Sequence, residues 1–322
     1  MATLKDIAQA CNVSVSAVCT AINHPQKISK EVREKIINKA RELHYFVDKT
    51  IKAQKVLLVF DNYKNYFYGE YYADVIFGIT QRLSEQGIDF RILSDFRVDY
   101  AEIYDYSGLI FVGRAPDAFL ERARKYKMPH VLAVNPNANY PTPAVYQDSA
   151  HGLAQLIEYV KSCGHKNIAV LTGETDHHDI VWNEFYSVLS GAFSKKNLML
   201  YQADYGLVQS IEIAFSKFLR DRKKTLLFCS NDLLAYYVYK AARKYGVNIP
   251  KDISVTGFDG ISFPRFMAAP QPALTTVQAD RTVIGSQVVD LLIQLLNDPR
   301  KVKLLNRLPM QICIGDSVRR LA

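Results

Sequence analysis

Two short apolar stripes open the chain. Leu4, Ile7, Ala8 and Cys11 fall at i, i+3, i+4 and i+7, and Val15, Val18, Cys19 and Ile22 repeat that spacing. This is the period of one face of an α-helix, so two helices of about two turns each are predicted. Thr3 is placed to cap the first, with Asp6 three residues on, and Ser14 to cap the second. Helices this short are unstable alone and must pack on a third. After a turn at Pro25, Ser29 is placed to cap that third helix, with Val32, Ile36, Ala40 and Leu43 inward and Lys30, Arg33, Lys35, Lys39 and Arg41 outward. A short helix, a tight turn and a second helix with small polar residues outside is the outline of a DNA-reading helix-turn-helix. A helical hairpin of another fold has the same spacing.

From Lys55 the pattern changes. Apolar runs at 56–60, 89–93, 108–113, 130–134, 167–173, 198–203, 225–230 and 253–258 read as strands. Helical periods at 71–85, 118–126, 149–162, 182–195, 209–220 and 233–245 alternate with them. Strands alternating with helices imply parallel sheets covered on both faces.

Composition narrows the function. A chain of 322 residues, 49% hydrophobic, holds more than one core. No apolar run is long enough to span a membrane, and no apolar signal core opens the chain, so a cytoplasmic location with no membrane partner is expected. Five cysteines without a CxxC pair read as reduced core residues. The net charge is +8, unevenly spread: residues 1–55 carry ten Lys/Arg against five Asp/Glu, and the rest 30 against 27. A polyanion is therefore expected to bind at the N-terminal end.

The blocks TLKDIAQACNVSVSAVCTAIN, ISKEVREKI and ARELHY resemble the N-terminal domain of the LacI/GalR family of bacterial transcription regulators. The resemblance continues through AVYQDSAHGLAQLIEYVKSCGHKNIAVLTG, SNDLLAYYVYKAARKYGVNIPKDISVTGFDG, PALTTV and the late Asp316-Ser317. It implies a small all-α helix-turn-helix head plus an α/β core of two Rossmann-like, periplasmic-binding-protein-like subdomains. The head is expected at 1–46, a hinge or linker at 47–55 and the effector-binding and dimerisation core at 56–322. Within the core, the N-subdomain is expected at about 56–159 and 279–307, and the C-subdomain at about 160–278 and 308–322. Asn12, Ala17, Cys19 and Thr20 depart from the family's usual Gly, Thr, Ser and Arg. Val47-Asp48 replaces the usual Pro-Asn, and Gln54 stands near where the family carries a leucine that wedges into the minor groove.

By family position, Val15, Ser16 and Thr20 face the bases; Val15 also fits the apolar stripe. Ser16 and Thr20 can donate or accept at base edges, and the methyls of Val15 or Thr20 can touch a thymine methyl. Thr3, Ser14, Asn23, His24, Lys27, Ser29 and Lys52 are better placed for phosphates, which position rather than specify. In the core, ligands of open α/β sheets bind beyond the carboxyl ends of strands. The aromatic run with Tyr66, Phe67 and Tyr68 follows one such end; Asn231-Asp232 and Asp259 follow two others. Aromatic faces with acids and amides suit sugar rings and their vicinal hydroxyls. The resemblance adds Asp148 as an acidic effector ligand and Tyr205 near an aromatic one. It also marks departures: Val181-Trp182 where a clamping Arg is common, and Arg281 at a late aromatic position. Asp148 and Asn231 can equally cap helices, and Asp259-Gly260 can form a turn.

No GxSxG, GxGxxG or Walker loop occurs, so no enzyme and no cofactor are expected. His177-His178-Asp179 has no second ligand pair at a useful spacing, so no metal is expected. The expected protein is a transcriptional repressor. It binds a pseudo-palindromic double-stranded operator as a homodimer, under control of a small-molecule effector, first a carbohydrate. The alternatives are a purine or other metabolite as effector, or a soluble sugar-binding protein without DNA function.

Overall fold

Thr3 opens the first helix with a reciprocal cap. Its hydroxyl accepts from the Asp6 N–H, and the Asp6 carboxylate accepts from the Thr3 N–H. The computed structural model of the chain describes residues 3–24, 27–43, 45, 55–60, 69–93, 106–173, 180–204, 207–221, 224–261 and 271–321. The expected linker therefore lies outside the described residues apart from Lys55, as do Pro25 and the segment 94–105.

Helix α1 (Leu4–Cys11) ends at Asn12, whose backbone is left-handed at φ 54°. Asparagine tolerates that conformation, so the family's usual glycine is not required there. Helix α2 (Val15–Asn23) begins at Ser14, whose hydroxyl accepts from the Ala17 N–H, and α3 (Lys30–Glu42) begins after Ser29. Ile7, Ala8, Cys11, Val18, Ala21, Ile36 and Ala40 form the core of the three helices.

Three positions on these helices correct the sequence pattern. Val32 is exposed, whereas Arg33, expected outside, is buried together with Ile37. The Arg33 guanidinium donates from Nε to the Ala21 carbonyl at 3.2 Å, near the C-terminal end of α2. That end carries unpaired carbonyls and partial negative charge, which a cation satisfies. Val15 is also outside the core: it is 38% exposed, against 0% for Val18.

The chain divides into two compact units. The first holds residues 1–62, 75–146 and 282–306. Its strands are β1 (Lys55–Phe60), β2 (Asp89–Leu93), β3 (Gly108–Gly113), β4 (His130–Val134) and β5 (Ala144–Gln147), with β11 (Leu305–Leu308) at the edge. The sheet order is β11-β5-β4-β3-β1-β2. Strands β1 to β4 pair in parallel, Val56 lying opposite both Phe90 and Gly108. Helices α4 (Gly69–Glu85) and α5 (Asp117–Lys125) accompany it. Every residue of β3 and β4 is buried, the signature of strands covered on both faces. Phe111 meets Phe119 of α5 edge to face at 4.8 Å within that core.

The second unit holds 63–74, 147–281 and the last stretch from 307. Its strands β6 (Ile168–Thr172), β7 (Leu198–Gln202), β8 (Leu226–Cys229) and β9 (Ser254–Thr256) pair in parallel in the order β7-β6-β8-β9. Helices α6 (Ser149–Ser162), α7 (Ile180–Ala192), α8 (Val208–Arg220) and α9 (Asp232–Lys244) accompany them. Strands β10 (Thr276–Gln278) and β12 (Gln311–Cys313) form an antiparallel pair, and α10 (Arg281–Asn297) lies between them in the chain. The unit changes at 146/147 rather than at the expected 159/160. The reason is packing: α6 lies against α7, β10 and β12, all within the second unit.

Candidate nucleic-acid interface and effector site

In the head, Val15 and Ser16 are exposed on the first turn of α2, and Thr20 follows one turn on. The Thr20 hydroxyl donates to the Ser16 carbonyl at 2.9 Å, the back-bond common for Thr inside helices. His24 and Lys27 are exposed after the helix. Thr3, Ser14 and Ser29 act as caps through their hydroxyl oxygens. A cap hydroxyl of this kind keeps its own hydrogen for a phosphate, though that of Thr3 is engaged with the Asp6 carboxylate at 2.8 Å. Asn23 ends α2, and Lys52 lies outside the described residues.

In the second unit a polar network joins residues far apart in the chain. The Tyr71 hydroxyl donates to Gln147 Oε1 at 2.9 Å, and Gln147 Nε2 donates to Asp259 Oδ1 at 3.0 Å. Arg281 donates from Nε and Nη2 to Asp74 Oδ2 at 2.9 and 2.7 Å, and from Nη1 to the Asp259 carbonyl at 2.7 Å. Its guanidinium also lies 5.4 Å from the Tyr71 ring centroid. Asp259 takes a left-handed backbone at φ 98°, unusual for a residue with a side chain. The residue before it, Phe258, packs edge to face on Phe185 at 5.4 Å, and Trp182 stacks on Phe185 at 5.4 Å. Through its chain neighbour Phe258, the acid at this strand end is joined to an aromatic group whose outer ring, Trp182, is half-buried.

The predicted residues separate into different roles. Asp148 caps α6 by accepting from the His151 N–H, and Asn231 caps α9 by accepting from the Leu234 N–H. Asp232 is 1% exposed, and both its oxygens are engaged: Thr276 Oγ1 donates at 2.6 Å and the Ile261 N–H at 2.7 Å. It fastens the loop after β9 to β10. Asp259 joins the network. Tyr66, Phe67, Tyr68 and Tyr205 lie outside the described residues, as does His177-His178-Asp179. Tyr71, Asp74, Gln147 and Arg281 were not among the predicted ligands. The departure at Arg281 was the one visible signal. Among the described residues no group of His, Cys, Asp and Glu is arranged to hold a metal.

Burial raises both acids. The Asp259 carboxyl is pushed up to about 6 by burial, against the hydrogen bond from Gln147 and the charge of Arg281. The Asp232 carboxyl is pushed up to about 8, again by burial first, with Thr276 pulling it down and Asp259 raising it. A folded value above the unfolded one means the folded chain holds the proton more tightly. The stability that Asp232 contributes is present below its ordinary value of 3.8 and is lost as pH rises to about 8. Asp232→Asn keeps the shape of the neutral acid. Thermal melts from pH 5 to 9 are expected to show the wild type losing several degrees relative to this variant above pH 6. Parallel pH profiles would exclude a buried titrating Asp232.

A family model described as bacterial regulatory proteins, lacI family, matches residues 3–47, and one described as a periplasmic binding protein-like domain matches 157–318. The chain belongs to the LacI family. It is a DNA-binding transcriptional regulator and not an enzyme. The probable HTH-type transcriptional repressor ExuR of Bacillus subtilis (strain 168) is 26% identical over 336 residues, covering 100% of this chain and 99% of that one. A LacI family transcriptional regulator from Enterococcus faecium, solved with bound ribose, superposes with a TM-score of 0.68 at 22% identity over 84% of this chain and 100% of that one. The lac repressor dimer bound to operator and the anti-inducer ONPF superposes with a TM-score of 0.67 at 19% identity over 99% of each chain.

Membership in the family gives the two sites their context. The LacI match covers the capped helices α1 to α3, and the binding-protein match covers Trp182, Asn231, Asp232, Asp259 and Arg281. No helix among the described residues is long and apolar enough to cross a membrane.

Proposed function

We propose that this regulator is a cytoplasmic repressor that binds a pseudo-palindromic operator as a homodimer and changes its operator affinity when a small carbohydrate binds the core. The head at 1–46 reads the operator through Val15, Ser16 and Thr20, and the segment 47–55 tethers it. Ser14, His24, Lys27 and Ser29 meet phosphates. A two-fold dimer presents two such heads to two half-sites, which is why the operator is expected to be palindromic. The lac repressor dimer on its operator supports the assembly, and the ribose-bound relative supports a sugar as ligand class.

The observation that carries the effector reading is the Tyr71–Gln147–Asp259 network, joined at Asp259 through the chain to Phe258 and the Phe185–Trp182 aromatic group. A carboxylate accepts from sugar hydroxyls, an amide and a phenol can exchange partners with them, and an indole face packs on a sugar's C–H face. Such a ligand acts only by preferring one of the protein's DNA-binding states over the other.

Selection of bound sequences from a random duplex library at low salt, using the full chain, tests the DNA half. A palindrome is expected, with affinity falling steeply as salt rises. Titration of that complex with pentoses, hexoses, sugar acids and purines tests the effector half. Release or tightening by a sugar supports the reading. A response to purines alone would replace the ligand class, and failure to enrich a palindrome would sink the operator assignment.

A further inference from the structure

The helix assigned to the operator is uncharged along its whole length. Helix α2, VSAVCTAIN, has no Lys, Arg, Asp or Glu. In the major groove, Arg and Lys read guanine, Asn and Gln read adenine, and Asp and Glu accept from cytosine. None of these stands on the N-terminal turns of α2, which are the part of a recognition helix that reaches base edges. Asn23 is the last residue of the helix.

What α2 does present, beside the exposed Ser16 hydroxyl that can meet any base, is apolar. Val15 is 38% exposed on the first turn, although Val18, one turn on, is 0% exposed in the core. The packing of the three helices therefore does not account for Val15. Thr20 gives its hydroxyl hydrogen to the Ser16 carbonyl at 2.9 Å, so its outward chemistry is a methyl group and an acceptor lone pair. Thymine carries the one apolar group of the major groove, its C5 methyl. The cations of the head lie elsewhere: Lys5, Lys27, Lys30 and Lys35 are all exposed outside α2. Affinity and sequence preference are thus held by different residues: the lysines and cap hydroxyls meet phosphates, the Ser16 hydroxyl pairs with either kind of base, and the discriminating base contacts fall to methyl groups.

We infer that α2 specifies its operator through thymine methyl groups, so that the base pairs facing Val15 and Thr20 are T·A and no guanine is specified opposite this helix. The inference rests on α2 being the operator-reading helix.

The test uses the full chain and the palindrome enriched from the random library. Each thymine of a half-site, with its symmetry mate, is replaced by uracil, which removes the C5 methyl and keeps the pairing. Loss of a buried methyl contact weakens binding about fourfold, and the symmetric pair about 15-fold. The uracil effect is expected at the sites facing α2, and is expected to shrink in Val15→Ala and Thr20→Ser, which remove the protein's methyls. Thr20→Val, which keeps a methyl and removes the hydroxyl, is expected to hold the preference. A palindrome with guanine fixed opposite α2, or one indifferent to uracil, overturns the inference while leaving the operator assignment in place. Failure to enrich a palindrome overturns both. The uracil arm leaves the protein unaltered, so misfolding of a variant does not affect it.

Discussion

Asp259→Asn is expected to weaken effector binding roughly 10- to 100-fold and to leave operator affinity without effector within about twofold. The fold-change follows from replacing a charged acceptor, worth about 1.5–3 kcal/mol per hydrogen bond, by a neutral amide. The network survives the substitution, because the new Oδ1 still accepts from Gln147 Nε2, as Asp259 does at 3.0 Å. The backbone at φ 98° is a strained left-handed conformation, and the variant is expected to retain it. The pH dependence adds a second readout. Asp259 is held up to about 6, so the carboxylate that accepts from hydroxyls is filled in as pH rises through that value. Effector affinity is expected to rise between pH 5 and 7 in the wild type and to stay flat in the variant. Calorimetric titration with effector and fluorescence anisotropy with operator measure the two affinities separately. A variant that responds to effector at wild-type concentration removes Asp259 from the site.

The alternation of strands and helices was legible because it is local. A run such as Leu109 to Val112 has no polar position, and a parallel strand buried on both faces needs none. The caps at Thr3, Ser14 and Asn231 were legible for the same reason, since each partner N–H lies three residues on. The choice between Val32 and Arg33 was not local. Apolarity favours Val32 inside, and only the carbonyl of Ala21, 12 residues away and near the end of another helix, draws Arg33 in. The polar network proposed to meet the effector is hidden for a stronger form of that reason. Gln147 finds Asp259 across 112 residues and Arg281 finds Asp74 across 207. Spacing along the chain carries no trace of such pairs. Strand ends pointed to Asp259, but the same rule singled out Asp232, whose carboxylate fastens a loop. A buried acid at a strand end reads alike in sequence whether it meets a ligand or a backbone N–H.

Gly285→Ala and Gly191→Ala make one substitution in two helices and are expected to move stability in opposite directions. Glycine costs a helix about 1 kcal/mol relative to alanine, so the bare propensity favours both changes. At Gly191, in α7, an added Cβ would meet nothing within 4 Å, and a gain of up to about 1 kcal/mol is expected. At Gly285, in α10, the same atom would lie 2.2 Å from the Val75 carbonyl oxygen and 2.7 Å from the Ile79 nitrogen. Both are backbone atoms of α4, and neither can turn away as a side chain would. Gly78 of α4 faces the reciprocal problem, with the Thr282 carbonyl oxygen 2.1 Å from its own virtual Cβ. Two helices that cross backbone to backbone must separate to admit a methyl group. A net loss of about 3 kcal/mol is expected for Gly285→Ala, which lowers Tm by roughly 6–12 °C for a unit of this size. Thermal melts followed by circular dichroism compare the two variants directly. A Gly285→Ala protein that melts with the wild type would mean that the helices cross less closely. The consequence reaches function, because the two helices also carry the network: Tyr71 and Asp74 lie in the first turns of α4, and Arg281 is the first residue of α10. Separating α4 from α10 pulls on the Arg281–Asp74 pair, whose 2.7 Å bond shares a guanidinium with the Asp259 carbonyl. Effector affinity is therefore expected to fall in Gly285→Ala even at temperatures where it is folded, and to be unchanged in Gly191→Ala.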